Sequence, residues 1–125
     1  MGKGDFQKAL GNNVKVETFQ FNAGPSAIES LLANRIDVTY IGPNPAINGY
    51  VVSDGKGVRV IAGSSSAGAS FVVRNDAGIN SVNDLGGKKF ASPQLGNTQD
   101  VALRKYLQDN GFKTIENGGN VTVVP

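Results

Sequence analysis

The sequence of 125 residues contains no cysteine and no histidine. Without these residues the chain cannot build a Ser-His-Asp triad, a thiol nucleophile or a Cys/His zinc site. We therefore expect no metal and no other cofactor. No apolar run approaches the roughly 20 residues that span a bilayer. Residues 1–5 are not followed by the apolar segment of a signal peptide.

The net charge is only +2, and the basic residues are scattered along the chain. This distribution argues against a nucleic-acid partner, which requires a basic patch or stripe. Charged residues make up 18% of the sequence and hydrophobic residues 39%, which indicates a globular chain rather than a disordered one. The length suffices for one ordinary domain or two very small lobes.

Apolar segments with strand-like patterning recur along the chain, and short helical patterns separate them. Helices are predicted to begin near Pro25, Ala46 and Asn97, and Ser26 with Glu29 resembles a capping box at the first of them. Strands alternating with helices predict an α/β fold of mostly parallel sheets with flanking helices. The predicted strands cover residues 14–21, 36–41, 58–62, 71–74, 89–91 and 121–124.

Two segments place a predicted helix start directly after a predicted strand. The first N–H groups of a helix lack internal partners and can bind an anion, and glycine lets the backbone approach a ligand closely. Ordinary helix capping explains either segment taken alone. The candidate residues are Gly42, Pro43, Asn44 and Pro45 in the first corner, and Gly96, Asn97, Thr98 and Gln99 in the second.

A run of three serines lies between the two corners. Small residues occupy the whole segment 63–69, so it is suited to act as a hinge between two lobes. Ser65 and Ser66 would then line a cleft as well. An ordinary linker explains the same composition equally well.

Several stretches resemble the nitrate/sulfonate/taurine-type solute-binding proteins of ABC importers. Residues 91–104, ASPQLGNTQDVALR, are similar to a motif of that family, and PQLGNTQD is their most specific part. Residues 35–46 look like its first-lobe motif, residues 69–74 like its crossing strand, and residues 79–88 like the segment that follows. The resemblance covers nearly the whole chain.

The resemblance implies part of a type II periplasmic-binding fold, with a partial first lobe at 1–63, a crossover at 64–69 and a partial second lobe at 70–125. A small anionic solute would bind between the lobes, and hinge closure would trap it. The two corners would supply the ligand contacts, with Ser65 and Ser66 near the crossover. The family also implies an extracytoplasmic location and a membrane permease as partner.

Members of that family begin with a strand and helix that should precede residue 6, and they continue well beyond Pro125. We therefore expect an internal fragment that forms a homodimer through unpaired sheet edges or domain swapping. One alternative is a self-associating structural module without a ligand. Another is an enzyme similar to thiamin-pyrimidine synthases, which share the fold but depend on the histidine that this chain lacks.

Overall fold

A computed structural model describes residues 4–125, so residues 1–3 of the segment compared with signal peptides lie outside the described part. That part contains four α-helices, two 3-10 helices and two β-strands. The α-helices are α1 (Asp5–Leu10), α2 (Gly24–Leu32), α3 (Pro43–Val52) and α4 (Thr98–Asp109). The 3-10 helices are Val82–Leu85 and Ile115–Asn117, and the strands are β1 (Lys89–Ala91) and β2 (Thr122–Val124).

Strands β1 and β2 form a parallel pair, with Phe90 opposite Val123. The bridge between Thr114 and Val121 extends the pairing by one further contact. This pair confirms the two predicted strands nearest the C-terminus and their parallel arrangement. Helix α4 shares a core with the pair, made of Leu85, Leu103, Leu107, Val121 and Val123, with Ile79, Val82, Phe90 and Phe112 at its margin.

Helices α2 and α3 pack against each other at a glycine. A Cβ atom added to Gly49 would lie 2.5 Å from Cγ1 of Ile28, so only glycine permits this approach. The buried face of α2 consists of Ala27 and Ile28.

Both helices begin earlier than the sequence pattern indicates. Helix α2 has Ala23 as its N-cap and no capping side chain, so the predicted capping box of Ser26 and Glu29 is wrong. Ser26 instead lies within the first turn. Helix α3 begins at Pro43 rather than Ala46, because the first turn of a helix tolerates proline.

Four predicted strands are absent as regular strands from the described residues, namely residues 14–21, 36–41, 58–62 and 71–74. A strand needs a hydrogen-bonded neighbour, and within residues 4–125 the backbone groups of 36–41 and 58–62 pair with no other backbone segment. Val60 and Ile61 are consequently 82% and 81% exposed. The expected α/β architecture is therefore present only where α4 packs on β1 and β2.

Of the helices in residues 4–125, none combines the length and the apolar character that crossing a membrane requires.

Candidate functional site

The two predicted corners lie in direct contact. Gly42 is the N-cap of α3, and Thr98 is the first residue of α4. A Cβ atom added to Gly42 would lie 2.1 Å from Oγ1 of Thr98, so the threonine side chain packs against the glycine backbone. The structure thus brings together two helix starts that are far apart in the sequence.

The start of α2 joins these two. A Cβ atom on Gly24 would lie 2.5 Å from Cγ of Pro45, and Oγ of Ser26 donates a hydrogen bond to Oε1 of Gln94 at 3.4 Å. We call the first residues of α2, α3 and α4 the helix-start cluster. Sequence reasoning missed the contribution of α2, although the turn at 22–24 followed by Pro25 was a signal of the same kind as at the two corners.

At the start of α4, two amides are satisfied within the loop itself. The N–H of Gly96 donates to Oδ2 of Asp100 at 3.0 Å, and the N–H of Asn97 donates to the carbonyl of Gln94 at 3.2 Å. The N–H groups of Thr98 and Gln99 have no acceptor within residues 4–125. The open donors of this corner are therefore the latter two amides.

The first corner offers fewer amides than its helix start suggests. Pro43 and Pro45 have no N–H group, and the N–H of Ala46 already donates to the carbonyl of Gly42 at 3.3 Å. The N–H groups of Gly42 and Asn44 are left without an acceptor in the described part of the chain. Gly42 permits the close approach of Thr98, and the two prolines affect the shape of the corner rather than its supply of donors.

The hydroxyl of Thr98 is buried among these groups without a partner. Its Oγ1 is the one buried side-chain oxygen or nitrogen in residues 4–125 that makes no hydrogen bond. Buried polar groups are nearly always hydrogen-bonded, and leaving one unpaired costs about 1–3 kcal/mol. An acceptor brought by a ligand would remove this cost.

Asp100 stabilises the loop that precedes α4. The residue is 1% exposed, and its carboxylate accepts hydrogen bonds from Oγ of Ser92 at 2.9 Å and from Nε of Arg104 at 3.2 Å, besides the Gly96 amide. Burial by itself raises the pKa of Asp100, but the bonds from Gly96, Ser92 and Arg104 and the charge of Arg104 together lower it below the ordinary 3.8. The carboxylate is therefore ionised at neutral pH.

The serines of the predicted crossover lie apart from this network. Ser65 and Ser66 are exposed, and within the described residues they form no hydrogen bond with either corner. Residues 4–125 also contain no group of three or more acidic side chains placed to hold a metal ion.

Comparison with known proteins assigns the chain to a family. Residues 5–123 match the family model described as "ABC transporter, phosphonate, periplasmic substrate-binding protein". The chain belongs to this family. The match spans both corners and every helix and strand of this substrate-binding protein, apart from Val124, the last residue of β2. The match supports the prediction of an ABC solute-binding protein. It does not support the narrower prediction of a nitrate or taurine type.

Individual relatives agree with the family. A binding protein of Brucella abortus (strain 2308) is 32% identical over 102 residues, which are 82% of this chain and 30% of the relative. A Bacillus subtilis (strain 168) protein named for binding aliphatic sulfonates is 33% identical over 91 residues, 71% of this chain and 27% of that protein. The substrate-binding chain thus spans less than a third of the relatives it matches. No solved structure matches it.

The matched family consists of substrate-binding proteins of ABC transporters rather than enzymes, and both relatives are named as binding proteins. This finding confirms the prediction that the substrate-binding chain is not an enzyme, and it excludes the likeness to thiamin-pyrimidine synthases as an account of its activity.

The contact between Gly42 and Thr98 predicts a steric effect of one methyl group. Because Gly42 has φ −73°, alanine fits its backbone, but the added Cβ would overlap Oγ1 of Thr98. We expect Gly42→Ala to lower the free energy of unfolding by about 1–3 kcal/mol, measured by urea denaturation. The matched control is Gly63→Ala, where a Cβ meets nothing within 4 Å. Equal effects of the two variants would contradict the contact.

The lowered pKa of Asp100 predicts a loss of stability in acid. Because its pKa is below 3.8 in the folded chain and ordinary in the unfolded chain, its contribution is present above 3.8 and is lost as the pH falls below that value. Urea midpoints should therefore fall with pH in that range. In Asp100→Asn the midpoint should be lower at neutral pH and its fall with pH shallower.

Two other carboxylates contribute to the fall of the urea midpoint with pH. Asp100→Asn should therefore reduce this slope but not abolish it. The N–H groups of Asn80 and Ser81 lower the pKa of Asp84, and the Thr114 hydroxyl is the main cause of the lowered pKa of Glu116. An unchanged slope in Asp100→Asn would show that the Asp100 carboxylate is not held as described.

Proposed function

We propose that the helix-start cluster binds part of a small oxyanion solute in an extracytoplasmic solute-binding protein of an ABC importer. The observation that carries this proposal is the buried, unpartnered hydroxyl of Thr98 beside the open amides of Thr98, Gln99 and Asn44. All of these groups are hydrogen-bond donors that an anion could accept from. They also lie at helix N-termini, where the partial positive charge favours an anion.

The solute class follows from this chemistry. A sulfonate, a phosphonate and nitrate all present several acceptor oxygens on a compact anion, which suits the open donors at the starts of α3 and α4. The family description names phosphonate, and the name of the Bacillus subtilis relative refers to aliphatic sulfonates. We propose a sulfonate, taurine or nitrate-like anion as the solute, with a phosphonate as the competing solute to be compared in the test.

The rest of the proposed mechanism rests on the two-lobed design that the family resemblance implies. Residues 1–63 would belong to the first lobe, 64–69 to the crossover and 70–125 to the second. Closure would then hold the first corner, Gly42 to Pro45, against the second, Gly96 to Gln99, with Ser65 and Ser66 near the hinge. A membrane permease would receive the solute from the closed protein.

Anion binding should be visible at single amides. Titration with methanesulfonate should shift the amide NMR signals of Thr98, Gln99 and Asn44, because these N–H groups are open to an acceptor. We expect weak binding, with a Kd of about 1 mM, because less than a third of the relatives' length is present to surround the solute. Methylphosphonate and nitrate titrations would rank the solute classes.

Variants of Thr98 test most directly whether its hydroxyl contributes to anion binding. Thr98→Val keeps the side-chain shape but removes the donor, so it should weaken methanesulfonate binding roughly tenfold, as expected for a hydrogen bond to a charged group. Thr98→Ser retains the hydroxyl and should bind nearly as the unmodified chain does. Shifts confined to residues outside the helix-start cluster, or no shift at tens of millimolar ligand, would refute the proposed site.

We also propose that the chain self-associates through its unpaired segments. Residues 58–62 combine backbone groups without backbone partners in the described part with the exposed side chains of Val60 and Ile61. Unpaired backbone beside apolar side chains is a template for pairing with another chain. A second copy supplies the same segment, so the expected product is a homodimer.

Light scattering at several concentrations should show a mass that rises toward the dimer. The double variant Val60→Lys/Ile61→Lys should remain monomeric, since two charges oppose pairing. Val51→Lys/Val52→Lys is the matched control, because both valines are 64% exposed but lie on α3, where the backbone is already hydrogen-bonded. A monomeric mass for the unmodified chain up to about millimolar protein would rule out the homodimer.

A further inference from the structure

We propose that Asp100 is the positioning residue of the second corner: its carboxylate holds the loop 92–97 in the shape that leaves the amides of Thr98 and Gln99 open to the solute. This inference rests on the proposed function. Asp100 itself does not contact the solute. Its role is to accept hydrogen bonds from the Gly96 amide and the Ser92 hydroxyl, and so to tie the loop to the sheet.

The hydrogen bonds at the start of α4 differ from a capping box. In that motif the third residue of the helix accepts a bond from the N–H of the N-cap. Asp100 occupies the third position and Asn97 is the N-cap, whose Oδ1 accepts the N–H of Asp100 at 2.7 Å. The carboxylate, however, bonds to the N–H of Gly96, one residue before the cap.

This displacement decides which amides stay open. Gly96 adopts φ +76°, a left-handed conformation that favours glycine, and its N–H points to the carboxylate. The N–H of Asn97 then turns to the carbonyl of Gln94. The next two amides, those of Thr98 and Gln99, have no acceptor within residues 4–125. At this corner the amides of Gly96 and Asn97 are therefore satisfied, whereas those of Thr98 and Gln99 are left open.

Asp100 also joins the corner to the sheet. Its Oδ1 accepts a hydrogen bond from Oγ of Ser92, and the N–H of Ser92 donates to the carbonyl of Val124 at 2.9 Å. Ser92 directly follows β1, and Val124 is the last residue of β2. A single buried carboxylate thus connects the helix start, the glycine turn and the end of the parallel pair.

The site requires a carboxylate rather than an amide. Donors reach it from three directions, the Gly96 amide, the Ser92 hydroxyl and the Arg104 guanidinium, and a carboxylate has two oxygens that only accept. In Asp100→Asn the side-chain NH₂ must face at least one of these donors. The variant keeps the size of the side chain and removes the matching acceptor, so the loop should lose its shape while the core stays packed.

Three variants separate positioning from general stability. Asp100→Asn should weaken methanesulfonate binding roughly tenfold, and Ser92→Ala, which removes one donor of the three, should weaken it less. Asp109→Asn is the control, because Asp109 lies on the same helix and pairs with the exposed Lys105. It should bind as the unmodified chain does. Binding is measured by NMR titration at a temperature where each variant is fully folded.

Amide hydrogen exchange provides the readout that a loss of overall stability does not produce. In Asp100→Asn the Gly96 amide should exchange faster by at least tenfold, while the amide of the buried Leu107 stays protected. Equal acceleration at Gly96 and Leu107 would indicate a structural role only and would overturn the inference.

The outcomes for the two proposals differ. Unchanged methanesulfonate affinity in Asp100→Asn, with binding intact in the unmodified chain, would overturn the positioning role and leave the proposed function standing. No binding by the unmodified chain would overturn the proposed function together with the positioning role of Asp100. Weaker binding with selective exposure of the Gly96 amide would support both.

Discussion

The contact between Gly42 and Thr98 is the interaction on which the candidate site depends. It joins the N-cap of α3 to the first residue of α4, and a single methyl group at Gly42 would fill the space that Oγ1 of Thr98 occupies. Without this approach, two helix starts would be separate ends, each explained by ordinary capping. With it, their open donors share one small region, and the start of α2 completes the cluster through Gly24 and Ser26.

The three helices contribute unequal chemistry to that region. Prolines at positions 43 and 45 remove amides from α3, so this corner offers fewer donors to the proposed site. Helix α4 supplies two open amides and the buried hydroxyl of Thr98. The carboxylate of Asp100, in the first turn of α4, accepts hydrogen bonds from the Gly96 amide of the loop and from Arg104 on the same helix. An ionised carboxylate can therefore lie beside the proposed anion site while its charge is largely offset.

The packing of the chain is uneven. Helix α4 and the strands β1 and β2 bury a contiguous apolar core, whereas residues 36–41 and 58–62 leave their backbone without backbone partners in the described part. The relatives are more than three times as long as the matched segment. The second corner therefore lies against a packed core, whereas the first corner is positioned by contacts among the helices.

The local sequence predicted the helices α2, α3 and α4, the N-cap Asn97 and membership among the ABC solute-binding proteins. These features depend on residues close in the chain: proline at a helix start, an amide side chain that caps, and a motif read in one stretch. Only the tertiary structure decided which corners meet, which amides remain open, and that Thr98 has a buried hydroxyl without a partner. It also overturned four predicted strands, because alternating apolar residues form a strand only where another backbone segment accepts and donates the hydrogen bonds.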